Sequence, residues 1–140
     1  MSKVLVNRLK KILPSIIDES QSAFVDGMMI FDNIIVAHET IHAMRNKRSG
    51  KTGYMAAKLD MSTAYDRVEW PYLEGAMRTL GFSSRWIALM MNCVKSVTYS
   101  IVVNGKQCGK IFPSRGLQQG DPLSPYLFLL CAEGLSCMLK

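Results

Sequence analysis

The sequence predicts an α+β fold. Three observations carry that prediction: helical periodicity near both ends and in the middle of the chain, an Asn-Gly hairpin signal late in it, and strand signals that do not alternate regularly with helices as a doubly wound sheet requires. A length of 140 residues suits one compact domain, and 49% hydrophobic with 20% charged residues is the balance of a globular chain rather than a disordered one.

The elements follow in order. Residues 3–13 set Val4, Leu5, Leu9, Ile12 and Leu13 near one helix face, and Pro14 is expected to stop that helix. An irregular stretch runs from Ser15 to Phe31, after which Asp32 is expected to cap a helix through about Lys47. Residues 54–59 (YMAAKL) read as a short buried strand. Pro71 suits the first turn of a helix that ends at Gly81, the residue just past its C-cap. Ser83 or Ser84 caps a further helix through about Val97. Tyr99–Val103, Asn104-Gly105 and Lys106–Phe112 form the hairpin, because Asn-Gly suits the positive φ angles of a type I′ turn. Asp121-Pro122 opens the last helix, with Asp as cap and Pro at the first helical position. The apolar stretch Tyr126–Leu139 contains Glu133 and is too short to span a bilayer.

A net charge of +6 and a pI near 9.3 favour a polyanionic partner, most simply nucleic acid, although a solvated basic surface has the same composition. The one dense basic cluster is Arg45, Lys47, Arg48 and Lys51, in a Gly/Ser-containing stretch that reads as a loop. Cys93, Cys108, Cys131 and Cys137 form no CxxC pair and follow no secretory signal, so reduced thiols packed in an intracellular protein are expected.

Two segments hold residue types with chemical potential. In KLDMSTAYD (58–66) a buried strand would run straight into Asp60, and a carboxylate at a strand end needs a partner or a metal such as Mg²⁺; the plainer assignment is that Asp60 and Asp66 cap the following turn. In RGLQQGDPLSP (115–125), Gly116 and Gly120 permit close backbone approach or unusual φ/ψ, and Gln119 offers donors and acceptors. The helix that follows would present free N–H groups suited to a phosphate, or simply be a capped helix after a glycine-rich loop.

KLDMSTAYDRV resembles motif A of reverse transcriptases and RGLQQGDPLSPYLF resembles motif B, both in the form seen in plant-like non-LTR (LINE-type) retrotransposons. NRLKKILPSIIDESQSAFVDG and DNIIVAHETIH resemble the finger region that precedes motif A, so the similarity covers nearly all of the chain. The resemblance implies a right-hand polymerase, with part of the fingers in residues 1–53 and part of the palm in 54–140. It implies RNA-directed DNA synthesis with Mg²⁺, an RNA template, a DNA primer and deoxynucleoside triphosphates, no membrane, and a nuclear site of action. Asp60 would be a catalytic, metal-binding aspartate, and the Met61 carbonyl a further metal ligand. Tyr65 would be the steric gate against a ribose 2′-OH, and Gln119 and Gly120 would face the nucleotide and templating base. Arg115, with the basic cluster, is a candidate nucleic-acid contact. Thr63 stands where the family often has Lys, and Gln118 where it often has Arg.

The family completes its two-metal site with an aromatic-Ala-Asp-Asp hairpin beyond motif B. The six aspartates here are at 18, 26, 32, 60, 66 and 121, and no two are adjacent. An incomplete palm sheet and a polypeptide inactive alone are therefore expected, and a non-catalytic nucleic-acid-binding role is the alternative. A remote alternative comes from His38-Glu39-Thr40-Ile41-His42, which matches HExxH and could bind Zn²⁺ with Glu39 as general base. There is no third histidine, and Arg45 stands where the metzincin extension needs Gly, so two histidines on one partly buried helix face is the simpler assignment.

Overall fold

A computed structural model describes residues 2–18, 21, 30–47, 49–50 and 53–139 of the protein. The elements are α1 (Ser2–Lys10), a one-turn α2 (Leu13–Ile16), α3 (Ile30–Asn46), a 3-10 turn (Ala64–Arg67), α4 (Trp70–Thr79), α5 (Ser84–Lys95), β1 (Tyr99–Val103), β2 (Lys106–Ile111) and α6 (Ser124–Leu139). Helices with one two-stranded antiparallel sheet are the α+β composition expected.

The core forms where α4 packs on α5 and α6. Leu73 and Met77 of α4, Met90 of α5 and Leu127 and Leu130 of α6 are essentially removed from solvent, and Leu9 and Leu13 join them from the N-terminal helices. Burial of such side chains contributes about 1.5–3 kcal/mol each relative to exposure. α4 and α6 cross closely at Gly134, where a Cβ would lie 2.9 Å from the Ala76 Cβ. Beside that crossing the Tyr72 hydroxyl donates to the Cys131 carbonyl at 3.0 Å. Glu133, only 3% exposed, accepts the Asp18 backbone N–H at 3.2 Å and so holds the end of the N-terminal helices to α6.

Short-range signals gave the elements they predict. Gly81, at φ +85°, follows α4, and the Phe82 N–H to Met77 carbonyl and Gly81 N–H to Arg78 carbonyl bonds complete a Schellman ending. The Ser83 hydroxyl accepts the Trp86 N–H at the start of α5. Asn104 and Gly105, at φ +50° and +78°, make the type I′ turn, and β1 pairs with β2 around it with an irregularity between Tyr99 and Ile101.

Other expectations are corrected. Pro14 sits in the first turn of α2 rather than simply ending α1, since a proline needs no N–H partner there. The turn at residues 11–12 re-phases the stripe, so Val6 is buried with Leu5, Leu9 and Leu13, while Val4 and Ile12 face outward. Helix α3 already runs from Ile30, so Asp32 is its third residue and not its cap. Residues 54–59 form no strand: Tyr54, Met55 and Leu59 are 68%, 90% and 71% exposed. An apolar run becomes a strand only with a ladder partner, and among the described residues β1 and β2 pair only with each other. Cys131 is buried and Cys93 half-buried, but Cys108 and Cys137 are exposed, so packing accounts for only the first two. All four are free thiols. No helix of the described residues is long and apolar enough to cross a membrane.

Candidate functional site

The two segments with chemical potential lie side by side. The 3-10 turn carries Tyr65 and Asp66, and the chain continues through Val68 into α4. The loop before α6 returns against this stretch. Gly116 donates its N–H to the Val68 carbonyl at 2.8 Å, and Leu117 donates to the Tyr65 carbonyl at 2.9 Å. The Trp70 indole Nε1 donates to the Gly116 carbonyl at 2.9 Å. Gly116 has φ +87°, and a Cβ there would meet the Asp66 carbonyl oxygen at 3.2 Å, so both its backbone conformation and the close approach call for glycine.

Tyr65 is half-buried, its ring stacked on Phe128 of α6 with centroids 5.1 Å apart. Burial raises its hydroxyl pKa above the ordinary 10.0, so it is a neutral phenol at physiological pH. Two cavities flank the segment. One, of about 200 Å³, is lined by Asp66, Trp70, Arg115, Gly116, Gln118 and Asp121 among others. The other, of about 390 Å³, is apolar and lined by Met61, Ala64, Val68, Tyr72, Phe128 and Leu135 among others.

Gln119 and Gly120 lie on the exposed part of the loop, and Gly120 has φ +88°. The helix start beyond them is not an open anion site. Asp121 Oδ1 accepts the Leu123 N–H at 2.7 Å and its carbonyl accepts the Ser124 N–H at 3.1 Å, so Asp121 caps the turn that leads into α6; the helix itself begins at Ser124, and Pro122 precedes it rather than taking its first position.

Asp60 and Met61 lie on exposed irregular backbone rather than at the end of a buried strand. Among the described residues no three His, Cys, Asp or Glu side chains gather to hold a metal ion. The same finding covers the HExxH pattern. His38 and His42 are exposed, stacked at 6.4 Å between ring centroids, and the expectation of a partly buried face is corrected. Burial would need an element packed on α3, and its Phe31, Ile34, Ile35 and Ile41 are more than half exposed as well.

Of the basic candidates, Arg45 lies exposed in the last turn of α3 and Lys47 just beyond, its ammonium 3.8 Å from the Tyr54 ring centroid. Arg48 and Lys51 lie outside the described residues. Arg115 pairs with Glu69 at 3.4 Å while its side chain stays 61% exposed, a surface ion pair of little energetic weight. Sequence reasoning missed Trp70, because a single tryptophan at a helix start has no periodicity or spacing to mark it.

The two segments singled out in the sequence are thus joined through backbone bonds between 65–68 and 116–117. The chain belongs to the reverse transcriptase (RNA-dependent DNA polymerase) family, whose model matches residues 1–140. Several of its relatives are retrotransposon proteins of the non-LTR kind. It is 30% identical over 142 residues, all of the chain, to the transposon TX1 uncharacterized 149 kDa protein of Xenopus laevis, of which it spans 10%. It is 37% identical over 108 residues, or 77% of the chain, to the retrovirus-related Pol polyprotein from the type-1 retrotransposable element R2 of Popillia japonica, of which it spans 17%. A 39-residue stretch, 28% of the chain, is 66% identical to an uncharacterized mitochondrial protein of Arabidopsis thaliana and spans 32% of it.

Proposed function

We infer that this chain forms the nucleotide-facing part of a reverse transcriptase that copies RNA into DNA during retrotransposition, residues 1–53 belonging to the fingers and 54–140 to the palm of a right-hand polymerase. Its partners are an RNA template, a DNA primer and deoxynucleoside triphosphates, and its site of action is the nucleus. The observation that supports this reading is the backbone pairing of 65–68 with 116–117, which holds the segment carrying Tyr65 beside the start of the loop that carries Gln119 and Gly120.

Tyr65 is the steric gate. A gate discriminates by repulsion, so its ring must be unable to swing aside. The stack on Phe128 supports that role, and the neutral hydroxyl adds no charge to repel a triphosphate. Gln119 and Gly120 face the incoming nucleotide and templating base from a loop held at its base by Gly116. Asp60 is the aspartate of the catalytic centre. Further carboxylates would have to join it to hold two Mg²⁺ ions, because one aspartate does not supply enough ligands.

Competition of dATP and ATP for a fluorescent deoxynucleotide, bound to the chain with an RNA template–DNA primer duplex and Mg²⁺, tests the reading. The expected result is saturable binding that favours dATP, with Tyr65→Val reducing the preference about tenfold. No saturable deoxynucleotide binding would sink the proposal.

The exposed Arg45 supports a second reading, polyanion binding without chemistry. Affinity for RNA should then fall steeply with salt, and Arg45→Ala should lower the slope of log K against log salt by about one. A salt-independent affinity would count against it.

A further inference from the structure

Trp70 opens α4, two residues after Val68. It is half-buried against the core, and its indole reaches across to the loop before α6, where Nε1 meets the Gly116 carbonyl at 2.9 Å. Gly116 is thus tied at both of its backbone polar groups to one short segment, its N–H to Val68 and its carbonyl to Trp70. The Leu117–Tyr65 bond adds the next rung. Two backbone bonds alone would leave the loop able to pivot about that edge, and the indole closes the pivot from outside. A Cβ at Gly116 would lie 3.2 Å from the Asp66 carbonyl oxygen, so the loop backbone is seated close to the 3-10 turn.

The protein's other tryptophan is the contrast. Trp86 Nε1 is buried and finds no hydrogen-bond partner among the described residues. Burial of an indole in this core does not by itself produce a bond, so the Trp70 contact reflects where the loop is held.

We propose that Trp70 is a positioning residue which, through Gly116, fixes the spacing between the Tyr65 ring and the Gln119-Gly120 loop, and with it the width of the gap for the nucleotide sugar. The proposal rests on the nucleotide-site reading above. Trp70 touches no reacting atom in it and acts through the loop alone.

Amide hydrogen exchange on the full 140-residue chain tests the first half. Trp70→Phe keeps an aromatic ring and removes the N–H. Exchange at Gly116 and Leu117 should quicken about tenfold while α5 stays unchanged, because one tie of a locally opening unit is lost. Gly116→Ala should give the same local signature from the other side, and Trp86→Phe should leave both amides as they are. Unchanged exchange at Gly116 and Leu117 in Trp70→Phe overturns the proposal. So does a uniform acceleration through α4, α5 and α6, which would make Trp70 a contributor to global stability only. The second half is read from the dATP and ATP competition. Trp70→Phe should lose several-fold in preference for dATP while keeping its dATP affinity, a split that general destabilisation does not produce. Preference retained in Trp70→Phe overturns the proposal, whereas no preference in the wild-type chain overturns the nucleotide-site reading beneath it.

Discussion

Gly134→Ala should destabilise the chain, against the usual preference of helices for alanine. In an open helix the exchange is worth about 1 kcal/mol in favour of alanine. Here the added methyl would sit 2.9 Å from the Ala76 Cβ and 3.3 Å from the Tyr72 hydroxyl. Carbon atoms pack at about 3.5–4.0 Å, so α4 and α6 must separate by the better part of an ångström. Overpacking of this kind costs about 1–3 kcal/mol. The Tyr72–Cys131 bond of 3.0 Å spans the same crossing and weakens with it, for roughly another 1 kcal/mol. The net expectation is a loss of about 1–3 kcal/mol, read as a lower urea midpoint at unchanged slope. Ala76→Gly removes the opposing methyl. Alone it should destabilise by about 1 kcal/mol through helix propensity, but combined with Gly134→Ala it should restore the fit, giving a coupling energy of about 1 kcal/mol or more. A Gly134→Ala chain as stable as wild type, or strict additivity in the double variant, would refute the crossing.

Four further outcomes follow from the site and its supports. Asp121→Ala removes the acceptor for the Leu123 N–H and should lower stability by about 1 kcal/mol in urea denaturation, while an unchanged midpoint would mean that α6 starts without this cap. Burial pushes the Cys131 thiol from 9.0 up to about 12, and it also raises Tyr65 and Tyr72 above 10.0. The unfolded chain therefore loses these protons first, so the stability they contribute is fully present below pH 9 and is lost as pH rises toward 12. Urea midpoints should fall across that window and fall less in Cys131→Ala, and a flat profile would contradict the burial. Asp60→Ala should change stability by less than about 0.5 kcal/mol, because the residue is exposed. The chain alone should not extend a primer on an RNA template with Mg²⁺, and incorporation that Asp60→Ala abolishes would refute that expectation.

The features legible in the sequence are those whose cause lies within about four residues. Asn104-Gly105, Gly81 and Ser83 each act on backbone within one turn, and each stands where its chemistry predicts. The α+β composition and the family follow from such segments in order. What was not legible depends on remote partners. The strand at 54–59 failed for want of a neighbour to pair with. The face of α1 turned because the core takes Val6 in place of Val4. At the site, Gly116 was legible as a close-approach glycine, but its neighbours at Val68 and Trp70 lie almost fifty residues away in sequence and only the fold brings them there.

The bonds between 65–68 and 116–117 also divide the chain by topology. The polypeptide leaves this junction at Glu69, builds α4, α5 and the hairpin, and comes back to it at Arg115. Both ends of that excursion are pinned, and its far tip is the exposed Asn104-Gly105 turn. Insertions at such a tip cost only closure entropy, about 0.6 kcal/mol for each doubling of the loop. The hairpin can therefore grow, shrink or accept a foreign segment without displacing Tyr65 or Gln119, which makes it the natural place to fuse a reporter or to trade segments with a relative.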